Sequence, residues 1–208
     1  MDDARAERTL DEVEIRRVRA DWAHARDKGD WELLASCFHP DATACLSWYN
    51  GPASGFVEGS KRLVHTSKDY AGAHMIASSR VKVNGNRAIL ESDVLYFLRD
   101  RIQGYLTDAQ MQMLFYDQME KRDGVWRIYK WNAIYSVDRV DPVVTGSEPK
   151  GFYDDVVFDA EGNGVALMRS RGQKGGRPPN PWIVIAGSEK ERAVRAEGER
   201  WFNEGGKT

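Results

Sequence analysis

Two tight-turn signatures set inside long alternating runs constrain this chain more than any other feature. Asn84-Gly85-Asn86 joins a run from His74 to Val83 to a second from Arg87 to Leu98, and Asp123-Gly124 joins Ala109–Lys121 to Val125–Val137. Asn, Asp and Gly tolerate the positive φ that two-residue hairpin turns demand. The flanking runs alternate: Met75, Ala77, Val81 and Val83 in the first, Met111, Met113, Phe115 and Met119 in the third. Residues two apart share a strand face, so each run predicts a half-buried strand, and the turns make neighbouring strands antiparallel. The stretch from Asp100 to Thr107 reads as a loop between the two hairpins.

Helices come first. Thr9-Leu10-Asp11-Glu12 has capping-box spacing, and Ile15, Val18, Trp22 and Ala25 then recur at helical period. Gly29 stops this helix; Asp30 caps a short second one carrying Trp31, Leu34 and Phe38, which His39-Pro40-Asp41 breaks. Ala42 to Trp48 alternates as a strand, and a third helix is expected from Ser60 to about Tyr70. Helices grouped before long antiparallel strands predict an α+β fold with the helices on one face of a curved sheet. A sheet bent around helices leaves a cone-shaped interior suited to a ligand. Past Pro142 the texture changes. A hairpin around Glu161-Gly162-Asn163-Gly164 is expected, then a loop from Gly172 to Pro181 and a short strand from Trp182 to Ala186. Ser188-Glu189-Lys190-Glu191 is a second capping box, opening a charged helix to about Asn203 with little apolar face, which is expected to be solvated or to pack on a neighbouring subunit. The chain therefore divides into residues 1–140, an α+β unit, and 141–208, a C-terminal extension.

Composition excludes several classes. A net charge of -2 over 208 residues leaves no basic footprint for nucleic acid, and 41% hydrophobic residues is too many for a disordered chain. No apolar run approaches the roughly 18–20 residues that span a bilayer. Met1-Asp2-Asp3-Ala4-Arg5 is charged with no apolar core after it, so no secretory signal is expected. Cys37 and Cys45 lack C-x-x-C spacing and read as reduced thiols in a cytoplasmic protein.

Two residues carry the candidate chemistry. Asp27 ends the first helix, where the macrodipole disfavours a carboxylate, and His74 opens a strand. A His partner would relieve that cost, and an Asp that orients a His is a common route to a general base near neutral pH. Trp22, Tyr49, Trp131 and Asn132 are candidate substrate contacts. Asp93 is a further candidate if its strand face turns inward; an outward, solvated face is the alternative. His39 reads as a surface residue beside Pro40, and His24 and His65 as solvated helix residues. The four His and two Cys show no metal-ligand spacing, so neither a metal nor a cofactor is expected.

Taken together, Asp27-x-x-Asp30-Trp31, Leu34-x-x-x-Phe38-x-Pro40-Asp41-Ala42, Val57-Glu58-Gly59, His74, Val83-Asn84-Gly85-Asn86-Arg87-Ala88 and Arg122-Asp123-Gly124-Val125-Trp126-Arg127-Ile128 stand in a telling order. Over about residues 8 to 138 this pattern resembles the SnoaL-like branch of the nuclear transport factor 2-like superfamily. The resemblance implies a cystatin-like, cone-shaped α+β barrel with a deep apolar pocket, usually a homodimer or homotrimer. It also implies a cofactor-independent lyase or isomerase of the scytalone dehydratase, dehydrochlorinase or ketosteroid isomerase type, acting on a small cyclic substrate. In such enzymes a His at the position of His74 is the base and an Asp at the position of Asp27 orients it. This chain departs from them in carrying Trp22 where relatives often have a polar group, and Trp131 where some have Arg. A non-catalytic ligand-binding or scaffold protein is the alternative, and the small subunit of a ring-hydroxylating dioxygenase a weaker one.

Overall fold

The computed structural model describes residues 3–64, 70–158, 164–176 and 180–205. Helices α1 (Asp3–Lys28) and α2 (Trp31–Ser36) come first. Helix α1 starts earlier than its capping box implied. The Thr9 hydroxyl donates to the Arg5 carbonyl at 2.8 Å inside the helix, and Ala4 to Arg8 are good helix formers that extend it. Gly29, at φ +78°, ends it, and the Asp30 carboxylate accepts the Leu33 N–H at 3.0 Å to cap α2.

Strand β1 (Phe38–Cys45) follows directly. His39 lies in this strand and not at a surface break: it is buried, and its Nε2 meets the Glu120 carbonyl at 2.9 Å. Pro40 is accommodated where the register of β1 shifts between Phe38 and Thr43. After the short β2 (Asn50–Pro52), helix α3 runs over Ala53–Val64, starting seven residues before Ser60. His65 lies outside the described residues; His24 is exposed, as expected.

Four long strands build the sheet: β3 (Ala71–Asn84), β4 (Arg87–Ile102), β5 (Tyr105–Arg122) and β6 (Val125–Pro142). The expected loop at Asp100–Thr107 is instead a third tight hairpin. Gln103 and Gly104 sit at φ +51° and +89°, the pattern that Asp123 and Gly124 repeat at +51° and +78°. The order is β2-β1-β6-β5-β4-β3, with the short β7 (Val184–Ile185) beside β6. The sheet is curved, open and mixed, since β1 and β7 both run parallel to β6. Met111, Met113, Phe115 and Met119 all face the core, as their spacing implied. Strand β3 departs from simple alternation. An irregularity between Ile76 and Ser78 adds a residue, so Met75 and Ala77 face outward while Val81 and Val83 pack on the core.

In the extension, helix α4 (Ala166–Lys174) occupies part of what reads as loop, and the tip of the expected hairpin, Glu161 to Asn163, lies outside the described residues. Helix α5 (Glu189–Glu204) begins at the second capping box: Ser188 caps the Glu191 N–H, and Glu191 reaches back to the Gly187 N–H at 2.7 Å. It packs on the outer face of its own sheet through Val194 and Phe202, over Ile89, Tyr116 and Ile134, and Trp201 stacks on Tyr129. No helix among the described residues is long and apolar enough to cross a membrane.

Candidate active site

The last turn of α1 carries Asp27 against β3, the edge strand of the sheet, where His74 sits. An edge strand leaves alternate N–H groups without a ladder partner. Asp27 takes one of them: its Oδ2 accepts the His74 backbone N–H at 2.6 Å. Its Oδ1 meets His74 Nδ1 at 2.7 Å. Both carboxylate oxygens are thus engaged by one residue, which offsets the unfavourable helix terminus. With Nδ1–H donating to the carboxylate, the tautomer left for chemistry has its lone pair on Nε2. The imidazole is stacked on Tyr96 at 4.2 Å between centroids and meets the edge of Trp22 at 5.0 Å. Burial lowers its proton affinity below the ordinary histidine value of 6.5; Asp27 opposes this, and the nearby Arg26 and Arg19 charges reinforce it. The ring is therefore neutral at neutral pH.

His74 forms part of the wall of a small chamber of about 50 Å³ under the sheet, shared with Trp22, Phe56, Phe115 and Trp131. A buried ion pair packs against three of its aromatic rings without lining it. Arg19, from α1, reaches Asp117 of β5 with Nε–Oδ2 at 3.1 Å and lies over the rings of Trp22, Phe115 and Trp131 at 4.8, 4.8 and 5.1 Å. Arg26, Trp48 and Tyr96 border this chamber and also an outer cavity of about 470 Å³, whose far side includes Met168 and Arg171 of α4. Residues of the extension thus form part of the wall of the outer cavity. The chamber has room for about a water or two; the outer cavity has the volume of a small-molecule site.

Of the candidates from sequence, Asp27, His74, Trp22 and Trp131 converge. Tyr49 does not join them. It lines a cavity of about 320 Å³ with Trp182 and α4, which shares Trp48, Met168 and Arg171 with the outer cavity, and its hydroxyl donates to the Pro52 carbonyl at 2.7 Å. Asp93 faces outward, exposed, with the Ser78 hydroxyl bonded to it. Asn132 is buried on the opposite face of β6 from Trp131, among residues beneath α5, because adjacent strand residues point to opposite sides. Arg26 is a residue that the sequence reading passed over, hidden among the charged residues of a long helix. Tyr96, on β4, also lines the chamber, beside Met111 and Met113. Among the described residues, no group of three His, Cys, Asp or Glu side chains converges as metal ligands do.

This architecture is shared by solved structures. A protein provisionally assigned as a scytalone dehydratase from Novosphingobium aromaticivorans superposes with a TM-score of 0.54 at 14% identity, covering 69% of this chain and 97% of that one. The hexachlorocyclohexane dehydrochlorinase LinA-type3 from Novosphingobium barchaimii gives 0.55 at 20% identity, over 69% and 99%. In sequence, the uncharacterized protein AN9274 of Emericella nidulans is 27% identical over 147 residues, 68% of this chain and 62% of its own length. The chain spans about three-fifths of the length of the curated relatives it matches. Residues 7–132, more than half the chain, match the model of the SnoaL-like domain, and the chain belongs to that family.

Proposed function

We infer that this protein is a cofactor-independent lyase or isomerase whose base is His74. The observation that carries this reading is the 2.7 Å bond from Asp27 to His74 Nδ1, which leaves Nε2 as the basic atom of a ring in the chamber wall. A carbon–hydrogen bond next to a carbonyl breaks. The proton passes to Nε2 and the electron pair moves onto the carbonyl oxygen as an enolate. Asp27 stabilises the imidazolium that forms, in a site of low polarity where the ion pair is strong. Return of the proton to a different carbon shifts a double bond. Collapse of the enolate with loss of a β-hydroxyl, protonated by the imidazolium, releases water and forms the double bond. A small cyclic substrate suits the apolar wall. The names of the structural neighbours, a dehydratase and a dehydrochlorinase, agree with this class of chemistry without identifying a substrate.

The test is deuterium uptake from D2O into cyclic ketones and β-hydroxy ketones, followed by NMR. Wild-type protein should accelerate exchange or elimination. His74→Ala and Asp27→Asn should each lose about 10²–10⁴-fold while retaining the wild-type circular dichroism. Wild-type rates in either variant would sink the dyad. A second reading, ligand binding without chemistry, draws on the chamber volume of about 50 Å³, which is too small for a ring without movement of its wall. Saturable ligand binding with no exchange above buffer would favour it.

A further inference from the structure

We propose that Arg26 is the oxyanion-binding residue of this site and that its ligand is a small cyclic carboxylate. The inference rests on the reading of the His74 chamber and outer cavity as the substrate site.

Arg26 is 5% exposed, and its Nη1 is buried without a hydrogen-bond partner. No ion pair to Arg26 is found among the described residues. A buried guanidinium is ordinarily paired, because a desolvated charge with no counterpart is strongly unfavourable. Among the described residues, the neighbouring carboxylates are otherwise engaged. Asp27, the next residue, gives both oxygens to His74. Asp100, in the wall of the outer cavity, accepts from Arg171 at 3.0 Å and from the Arg101 N–H at 2.8 Å. The helix C-terminus does not explain the burial either. Lys28 stands in the same last turn, exposed, and complements the helix dipole while fully hydrated.

Position supplies the function. Arg26 borders both the chamber that holds His74 and the outer cavity, so a ligand passing from one to the other meets it. Its charge adds to the lowering that burial causes in His74 and opposes the raising that burial causes in the Tyr96 hydroxyl, so it is electrically coupled to the reacting region. A planar guanidinium with free donors matches a carboxylate by charge-assisted hydrogen bonds. Arg26 would hold that group at the junction while the apolar ring of the ligand reaches toward Trp22 and Trp131.

The test compares cyclohexanecarboxylate with cyclohexanecarboxamide, of the same shape but neutral, by isothermal titration calorimetry on the full chain. Wild-type protein should prefer the carboxylate by roughly 30-fold or more, the scale of a desolvated charge pair. Arg26→Gln should abolish the preference and Arg26→Lys should retain part of it. Equal affinities in wild-type protein, no detectable carboxylate binding, or an undiminished preference in Arg26→Gln overturns the proposal. The wild-type comparison decides even if Arg26→Gln fails to fold. Because binding is read without turnover, lost selectivity in Arg26→Gln with no deuterium exchange would retire the dyad and keep the anion site; the reverse pattern would do the opposite.

Discussion

His74 and the charges around it set the pH behaviour of the site. Desolvation is the largest influence on the ring and holds its pKa below 6.5, with Asp27 pulling the other way. In the unfolded chain the same ring titrates near 6.5. Between the lowered folded value and 6.5 the unfolded state binds more protons, so stability rises with pH there. This contribution is complete above 6.5 and is lost as pH falls toward the folded pKa. The difference in unfolding free energy between wild type and His74→Gln, measured by urea titration at several pH values, should therefore grow from acid up to about pH 6.5 and then level. A difference independent of pH would mean that the ring is not desolvated. Activity should follow the same group, holding near neutrality and failing at a pH below 6.5, as the imidazole protonates. Arg19 contributes to this depression from beneath the chamber, yet it is itself neutralised by Asp117, whose carboxyl burial pushes up and Arg19 draws down. Among the described residues Arg26 has no such partner, and this contrast between two buried arginines of one helix is what singles out Arg26 for the proposed anion site.

At the scale of elements, what could be read from sequence was what is encoded locally. The turns at Gly85 and Gly124, the cap at Asp30, the stop at Gly29 and the capping box at Ser188 each act within a few residues, and each stands where expected. The misread elements depend on distant partners. The Gln103-Gly104 turn lacks an Asn or Asp before its glycine and is imposed by the pairing of β4 with β5. The irregularity at Ala77 reverses the faces of β3 with no local signature, and it is this reversal that lets His74 face inward on the same strand as Val81 and Val83. Helix α4 has no side-chain cap of its own; Asp138, on β6, accepts its Met168 N–H at 2.7 Å. Asp27 and His74 could be paired from sequence because their family context fixed the geometry, whereas the outward face of Asp93 and the reverse side occupied by Asn132 required the register. Helix α5 offers a test in which propensity and packing oppose each other. Gly198 lies inside it, and a Cβ there would meet the Tyr116 hydroxyl at 2.4 Å and ring carbons at 2.7 and 2.9 Å. Helix propensity favours Gly198→Ala by about 1 kcal/mol. Overpacking against the fully buried Tyr116 opposes it by about 1–3 kcal/mol. We expect net destabilisation, seen as a lower urea midpoint, with Tyr116→Phe restoring part of the loss. A stabilised Gly198→Ala would show that α5 rides loosely on the sheet.

For the whole molecule, the outer face of the sheet is divided. Helix α5 covers the part over Ile89, Tyr116 and Ile134. The other part is bare and apolar: Met75 (54% exposed), Leu95 (38%) and Val137 (56%) join through Gln112 as one row of register partners across β3, β4, β5 and β6, and Phe97 (37%) stands in the next inward-skipping row beside Ala73 and Gln110. Contiguous apolar surface of this kind marks an interface more often than it is left in water. A second copy of the chain, as a dimer or trimer, would cover it and protect the edge strand β3, where His74 resides. Sedimentation velocity should then find wild-type protein self-associated at micromolar concentration, and Leu95→Lys with Phe97→Lys should shift it to monomer. The fold should survive that pair of changes, because both side chains point away from the core. Since Met75 and Ala73 flank His74 on the same strand, the monomeric variant should also exchange the β3 amides faster than wild type while retaining the α1 protection pattern. A wild-type protein that stays monomeric at such concentrations would leave the bare half-sheet without this role, and would place the rigidity of the His74 strand in α1 and β4 alone.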